Sequence, residues 1–466
     1  MVFTACPIPA WVECQVVDAA LGVKQLGIEH NAAVGTANSD VRAGRHTGRS
    51  GQAQAGHSGS WLTTRSFTLA VFLVLLLLNT ANVTQIGRMD NGRWIAYARV
   101  PVLFLGLLVL LHQFRGRFIP LLVENFDIAI FVIWAAIGSL ISSSPLVSFA
   151  YAAWLGATLL FLLILTQCFE DPLAMTQAID RALLVGYALP VLLGIVAIPQ
   201  YLAGDQRLMG DLDTKQMFAW SAVVVIACMV SLANDGRRRD ASSFLLRASV
   251  TVTVVSICVI CIIFSGNRAA VVGLGIMCLV YFLGGVTRRK AFARYAVALI
   301  AGVLVAQSYV QSVTADRYRT LVGQDALSSS DELRVRLWKA NWNYGIEHPV
   351  LGGGLVTASV DVAATVSDLP EGFSPHSTYL EIMSEMGVVG LGIFLVMAVR
   401  SARMLWSRRE WSTVRLHVIM IGAPVVVIAA VQSNLTPGQP LFFPLAVALI
   451  APRALNARAL GSGPVH

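Results

Sequence analysis

The chain has 466 residues, of which 56% are apolar and 13% are charged, and its mean hydropathy is +0.69. This composition excludes a soluble globular domain and predicts an all-α polytopic membrane protein. The formal net charge of +8 would suit nucleic acid, but most cations lie in short segments between apolar runs, where they set membrane topology. We therefore expect membrane lipids, and no nucleic acid, as partners.

Residues 1–64 form a polar N-terminal segment that is rich in Gly, Ser, Ala and His. The segment has no sustained hydrophobic periodicity, and it lacks the apolar core and cleavage site of a signal peptide. We expect a disordered cytoplasmic tail and assign it no function.

Twelve apolar runs follow, each close to the length of about 20 residues that crosses a bilayer as a helix. They cover residues 66–84, 94–112, 126–142, 147–169, 178–200, 216–233, 245–264, 269–286, 293–312, 377–399, 413–433 and 439–455. With both termini in the cytoplasm, roughly two-thirds of the 34 Lys and Arg residues fall inside, as the positive-inside rule requires. The sequence predicts a transmembrane domain over 65–455, a cytoplasmic tail over 456–466, and a large external loop over 312–375 between spans nine and ten.

The remaining cations lie on the external face, where topology does not require them. They are Arg88, Arg93, Arg99, Arg207, Lys215, Arg268, Arg317, Arg319, Arg334, Arg336 and Lys339. Of the eight histidines, only His348 and His376 fall on this face of the predicted topology. An outward-facing reaction centre must draw on this set.

Two external turns carry cations that can bind an anion. Ser265-Gly-Asn-Arg268 separates two spans and places an arginine at membrane depth, which costs about 2.5–3.5 kcal/mol unless it faces a cavity or an anion. We interpret Arg268 as an anion ligand; the alternative is contact with lipid headgroups. Arg207 and Lys215 flank the external junction between spans five and six and can hold one anionic group, with Lys215 at a helix N-terminus. The alternative there is a solvated loop in which neighbouring aspartates pair with these cations.

The external loop contains a predicted helix and a glycine-rich stop. Helical spacing over 331–342 puts Arg334 one turn from Trp338. The run His348-Pro-Val-Leu-Gly-Gly-Gly354 stops this helix and lets its backbone approach a neighbour closely. It is not a phosphate-binding P-loop, because no Lys-Ser/Thr pair follows.

His376 opens the tenth span directly after a proline. At a helix N-terminus the dipole favours neutral imidazole, which can accept a proton. Glu381 and Glu385 follow one and two turns later and either orient His376 or are buried polar groups of the helix. A metal site built from His376, His348 and Glu381 is a competing interpretation, but its spacing matches no standard ligand set.

Taken together, these motifs resemble the O-antigen ligase and O-antigen polymerase superfamily of bacterial membrane glycosyltransferases. The resemblance is carried by Arg207-x-x-Gly210, Ser265-Gly-Asn-Arg268, Arg334-x-x-x-Trp338, His348-Pro-x-x-Gly352-x-Gly354 and His376-Ser-x-Tyr379-Leu380-Glu381-x-x-x-Glu385-x-Gly387-x-x-Gly390. It covers roughly residues 66–455 and is tightest over 334–390.

The resemblance implies a GT-C-like fold in the bacterial inner membrane and glycan transfer on its periplasmic face. The donor is a glycan on undecaprenyl diphosphate, and for the ligases the acceptor is the lipid A core oligosaccharide. Lys215 stands where many polymerase-like members carry Asn, which favours a ligase. An O-antigen polymerase and a protein O-oligosaccharyltransferase are the alternatives within the class, and a membrane transporter is the alternative outside it.

The implied chemistry assigns a role to each site residue. A departing diphosphate needs fixed cations in a water-poor pocket, and guanidinium groups are permanently charged and bidentate. The predicted diphosphate ligands are Arg207, Arg268 and Arg334, followed by Lys215 and Arg336. His376 is the predicted base that takes the acceptor hydroxyl proton, with inversion and without a metal or other cofactor. We expect this site at the outer membrane interface, with the 312–375 loop as its lid.

Overall fold

In the computed structural model, the described residues are 58–83, 93–116, 118–169, 171–202, 212–233, 241–265, 267–284, 324–356, 376–407, 412–430 and 441–461, with 439 and a few positions between 358 and 365. Over these residues the fold is all-α and contains no strand. The N-terminal tail up to residue 57, the predicted ninth span at 293–312 and Arg207 lie outside the described residues.

The helices are numbered in chain order over the described residues. They are α1 (Ser58–Val83), α2 (Arg93–Phe114), α3 (Phe118–Glu124), α4 (Phe126–Gly138), α5 (Pro145–Gln167), α6 (Pro172–Leu202), α7 (Leu212–Ala233), α8 (Ala241–Ser265), α9 (Arg268–Gly284), α10 (Gln324–Glu347), α11 (Thr378–Ser407), α12 (Ser412–Ile428) and α13 (Phe442–Gly461). A 3-10 turn, Ser139–Ile141, follows α4. Proline is the first residue of α5 and of α6, where its missing N–H would have no helical partner.

The described helices are those of a polytopic membrane protein. Three are long and apolar enough to cross a membrane, namely Pro145–Gln167, Pro172–Val196 and Thr378–Trp406. Ala98–Phe114 and Phe118–Glu124 add a fourth if this pair, bent by 103°, is one span. Seven shorter apolar helices are Thr64–Thr80, Phe126–Ile141, Met217–Ala233, Ser249–Ile263, Ala269–Tyr281, Leu416–Ile428 and Phe442–Arg453. Each predicted span except 293–312 overlaps one of these helices, so the all-α polytopic class is confirmed. The count of twelve spans, the large external loop and the GT-C-like arrangement stay predictions.

Two helices organise the bundle. From Met217 to Cys228, α7 is buried on every face, as expected of an apolar helix at the centre of a bundle, and it packs against α6 and α8. α11 instead contacts α4, α10 and α13. It therefore joins the helix of the long loop to early and late parts of the chain.

Candidate functional site

α11 is broken at Gly387, whose backbone has φ 72° and ψ −179°. A break removes helical partners from the carbonyls before it and from the N–H after it. Hydrogen bonds to neighbouring segments take the place of the lost helical bonds. They join Ser384 O to Gly353 N (2.9 Å), Glu385 O to Gly354 N (2.9 Å), Met386 O to Trp134 Nε1 (3.0 Å) and Pro349 O to Val388 N (2.8 Å). The broken helix is thus completed by the segment 348–354, which we call the glycine turn, and by α4.

The glycines are required by this close approach. A Cβ on Gly352 (φ 65°) would lie 2.4 Å from the carbonyl carbon of Glu385. A Cβ on Gly387 would lie 2.5 Å from the carbonyl oxygen of Val350. The prediction that the glycine-rich stop lets backbone approach a neighbour is confirmed, and the neighbour is α11.

His376 lies two residues before the start of α11 and has a left-handed backbone, φ 50°, which is uncommon for a residue other than glycine. Its side chain is half-buried. The adjacent backbone is anchored, because Thr378 N–H donates to Ala429 O at 2.8 Å and Tyr379 Oη donates to Val426 O at 3.1 Å. An unusual backbone held by its surroundings is typical of functional positions.

A buried polar chain reaches the first turn of α11. Arg99 Nη1 donates to Asn79 Oδ1 at 2.9 Å, and Asn79 Nδ2 donates to Gln439 O at 3.4 Å. Gln439 Nε2 then donates to Glu381 Oε1 at 2.9 Å. This chain links α1, α2 and the segment before α13 to the helix that His376 precedes.

Burial explains why these groups are linked. Arg99 is 6% exposed and Glu381 is 3% exposed, and charged groups inside an apolar bundle require partners. Arg99 also lies over the ring of Trp154, with its guanidinium carbon 4.9 Å from the centroid. Arg99 is one of the predicted external cations, whereas the sequence pattern does not single out Asn79 or Gln439. Their only signal was a polar side chain within or beside an apolar run.

α10 is attached to the bundle through Asp361. Asp361 Oδ1 accepts a hydrogen bond from Ser143 Oγ at 3.1 Å, and the Asp361 carboxylate also accepts a hydrogen bond from the Tyr344 hydroxyl of α10. Burial, followed by the charge and hydrogen bond of Asp361, raises the pKa of Tyr344, so this phenol stays a neutral donor. The ring of Tyr344 contacts that of His348, with centroids 4.6 Å apart.

The Ser265–Arg268 turn has the predicted local structure. Asn267 Oδ1 accepts from Ala270 N–H at 3.1 Å and so caps α9, while Ser265 Oγ accepts from Asn267 N–H at 3.2 Å. Arg268 is the first residue of α9, and Lys215 lies in the first turn of α7. The side chains of Arg268 and Lys215 lie outside the described residues. Their convergence with His376 stays a prediction, as does that of Arg207.

The structure places Arg334 and Arg336 on different sides of α10. Arg334 is half-buried and Arg336 is exposed. Two positions along a helix correspond to a rotation of about 200°, so one pocket can receive only one of these side chains directly. Their roles as diphosphate ligands stay predictions, and Arg334 is the better placed of the two.

A family model described as O-antigen ligase matches residues 253–395. Residues 253–395 therefore form an O-antigen ligase superfamily segment. The matched segment includes the glycine turn, His376 and the break of α11, so the resemblance seen in the motifs is confirmed. No curated protein matches the chain.

The O-antigen ligase segment also contains every histidine predicted to face outward. Among the described residues, no group of three or more His, Cys, Asp or Glu side chains is placed to hold a metal ion. The metal-independent mechanism stays a prediction, since part of the external face lies outside those residues.

Proposed function

We propose that the chain is an O-antigen ligase that transfers polysaccharide from undecaprenyl diphosphate to the lipid A core oligosaccharide. Transfer takes place on the periplasmic face of the bacterial inner membrane. The observation that carries the proposal is His376, a half-buried histidine with a left-handed backbone, inside the family-matched segment. It precedes a helix whose first residues are tied to α12 and to the buried polar chain.

His376 acts as the base in the proposed reaction. Its imidazole takes the proton of the acceptor hydroxyl as that oxygen forms a bond to the anomeric carbon of the donor. The bond from the anomeric carbon to the diphosphate oxygen breaks, and the diphosphate leaves with the electron pair. Attack on the face opposite the leaving group inverts the anomeric configuration, and no covalent enzyme intermediate forms.

Arginine stabilises the departing diphosphate in this proposal. Negative charge grows on the leaving oxygen, and preorganised guanidinium groups in a water-poor site stabilise it more than mobile water does. Arg207, Arg268 and Arg334 are assigned this role first, with Lys215 as a further cation. Arg268→Lys is expected to lose nearly as much activity as Arg268→Ala, because lysine cannot bind an oxyanion in the same bidentate way.

The central test compares two histidines of the same face in a deletion strain complemented with variants. His376→Ala is expected to insert in the membrane at the wild-type level and to attach no polymer to lipid A, as seen by lipopolysaccharide electrophoresis. His348→Ala is the matched control and is expected to retain transfer, because His348 is exposed and contacts Tyr344. Full transfer by His376→Ala would eliminate the proposed base.

The deletion strain itself separates the alternatives. Loss of all polymer on lipid A, with carrier-linked polymer accumulating, indicates a ligase. Single repeat units on lipid A indicate an O-antigen polymerase. Normal lipopolysaccharide with loss of glycan from a secreted protein indicates a protein O-oligosaccharyltransferase.

A further inference from the structure

α10 carries an apolar stripe that the described residues leave uncovered. Val335, Trp342 and Ile346 are 45%, 50% and 54% exposed, and their spacing of seven and four residues aligns them along one side of the helix. The opposite side of α10 is buried at Leu337 and Asn341, which are each 1% exposed. We call Val335, Trp342 and Ile346 the outer stripe.

The outer stripe continues onto the exposed surface of α11. Val350 in the glycine turn is 54% exposed and Val388 is 50% exposed, and the two are adjacent because Val388 N–H donates to Pro349 O. Farther along α11, Val396 is 58% exposed on a helix long and apolar enough to span a membrane. Exposed valines on such a helix face lipid. The outer stripe is therefore an extension of a lipid-facing surface.

From Val350 back to Arg336, side-chain chemistry changes in the order found across a membrane interface, and Val335 lies beyond this range. Val350 and Ile346 are aliphatic, Trp342 is aromatic, and Lys339 and Arg336 on the flank of the stripe are exposed cations. Aliphatic residues favour hydrocarbon, tryptophan favours the interface, and lysine and arginine reach lipid phosphates. From Ile346 to Lys339 the helix rises about 10 Å, and one headgroup layer is about 5–8 Å thick, so a tilted helix places its two ends on either side of that layer.

We propose that the outer stripe of α10 docks on the outer leaflet of the membrane, with Arg336 and Lys339 against the phosphates of anionic phospholipid. Trp342 then lies at the interface and Ile346 in the hydrocarbon. The proposal goes beyond glycan transfer and does not depend on it. It assigns Arg336 to bulk lipid instead of the donor diphosphate. Docking would hold α10, which leads into the glycine turn, against the bilayer.

Docking is tested on the full chain in vesicles of phosphatidylcholine with phosphatidylglycerol. A nitroxide label is attached at Ile346→Cys or, as the matched control, at Glu347→Cys, with Cys6 and Cys14 replaced by serine. Glu347 is exposed and adjacent but about 100° away around the helix. Spin relaxation of the Glu347 label is expected to be enhanced more by an aqueous nickel chelate than by oxygen. Spin relaxation of the Ile346 label is expected to be enhanced more by oxygen, which concentrates in the hydrocarbon.

Two outcomes of this measurement would overturn the proposal. Equal access of the nickel chelate to both labels would mean that the stripe faces water. Shielding of the Ile346 label from both reagents would mean that a second copy of the chain covers it. Placing the label at Trp342→Cys instead gives an independent reading if one variant does not fold.

The role of the two cations is tested through lipid charge. In vesicles of phosphatidylcholine alone, access of the nickel chelate to the Ile346 label is expected to rise severalfold. Adding Arg336→Gln and Lys339→Gln is expected to abolish this dependence on phosphatidylglycerol. The assignment to bulk lipid is overturned if lipid charge has no effect on the original protein, or if a trace of undecaprenyl diphosphate in phosphatidylcholine vesicles replaces phosphatidylglycerol fully.

Discussion

Gln439 joins two parts of the protein through one residue. Its side-chain amide donates to Glu381 and its backbone carbonyl accepts from Asn79. Glu381 is buried, and a buried carboxylate that loses a hydrogen-bond donor costs about 1–3 kcal/mol or more. We therefore interpret Gln439 as a positioning residue for the first turn of α11, which follows His376.

Exchanging the two side chains tests this contact. Gln439→Glu places a second carboxylate beside Glu381, and we expect a lower thermal unfolding temperature and reduced polymer transfer. The double variant with Glu381→Gln restores an amide and a carboxylate with their places exchanged. We expect it to recover stability by about 0.5–3 kcal/mol in a double-mutant cycle. A double variant no better than the sum of the single changes would show that this hydrogen bond does not position the helix.

α11 functions as a broken helix because the glycine turn and Trp134 satisfy the backbone groups exposed by the break. The position of the break depends on Gly387, because glycine is the residue type that tolerates both the backbone angle and the close backbone contact found there. Its φ is positive, and a Cβ would contact the backbone of the glycine turn. The first turns of α11 can therefore diverge from its spanning part without leaving buried backbone groups unpaired.

Two glycines of α11 provide a direct comparison. Gly387→Ala is expected to destabilise the protein by roughly 2–5 kcal/mol, from the strained φ and the backbone clash, and to abolish transfer. Gly392→Ala is the control, since a Cβ there has nothing within 4 Å, and alanine favours a helix by up to about 1 kcal/mol. Thermal unfolding in detergent measures both. Equal unfolding temperatures for the two variants would contradict the requirement for glycine at 387.

Far from the glycine turn along α4, one carboxylate connects three helices of the bundle. Asp127 of α4 accepts from Arg453 of α13 at 2.6 Å and from Arg400 of α11 at 2.9 Å. Arg453 is 2% exposed and Arg400 is 29% exposed. Both arginines are among the cations that the positive-inside rule assigns to the cytoplasm, and the structure shows that they also hold the spans together.

Burial predicts that these arginines contribute unequally to stability. Arg453→Leu removes the closer partner of the buried Asp127 carboxylate. It is expected to lower the free energy of unfolding by about 3–5 kcal/mol. Arg400→Leu is expected to cost about 1 kcal/mol, because its more exposed guanidinium group is partly solvated. The midpoints of thermal unfolding would rank the two variants. A larger effect for Arg400→Leu would mean that burial does not control the strength of these pairs.

Much of the helical architecture could be predicted, because its causes are local. Apolar runs of span length, proline at the starts of α5 and α6 and the Ser265–Arg268 turn each place a helix boundary through nearby residues. The glycines over 352–354 likewise predicted close backbone approach. The pattern could not identify α11 as the neighbour, since hydropathy carries no information about which helices pack together.

The sequence by itself determined the membrane class, the helix positions, the glycine requirement and, through its motifs, the family. Only the tertiary structure decided that Glu381 meets Gln439, that Asp127 meets Arg453, and that α10 turns Trp342 outward. These contacts join residues far apart in the chain, and they depend on which buried polar groups can satisfy one another once the helices have packed. Local propensity and hydropathy do not specify that choice.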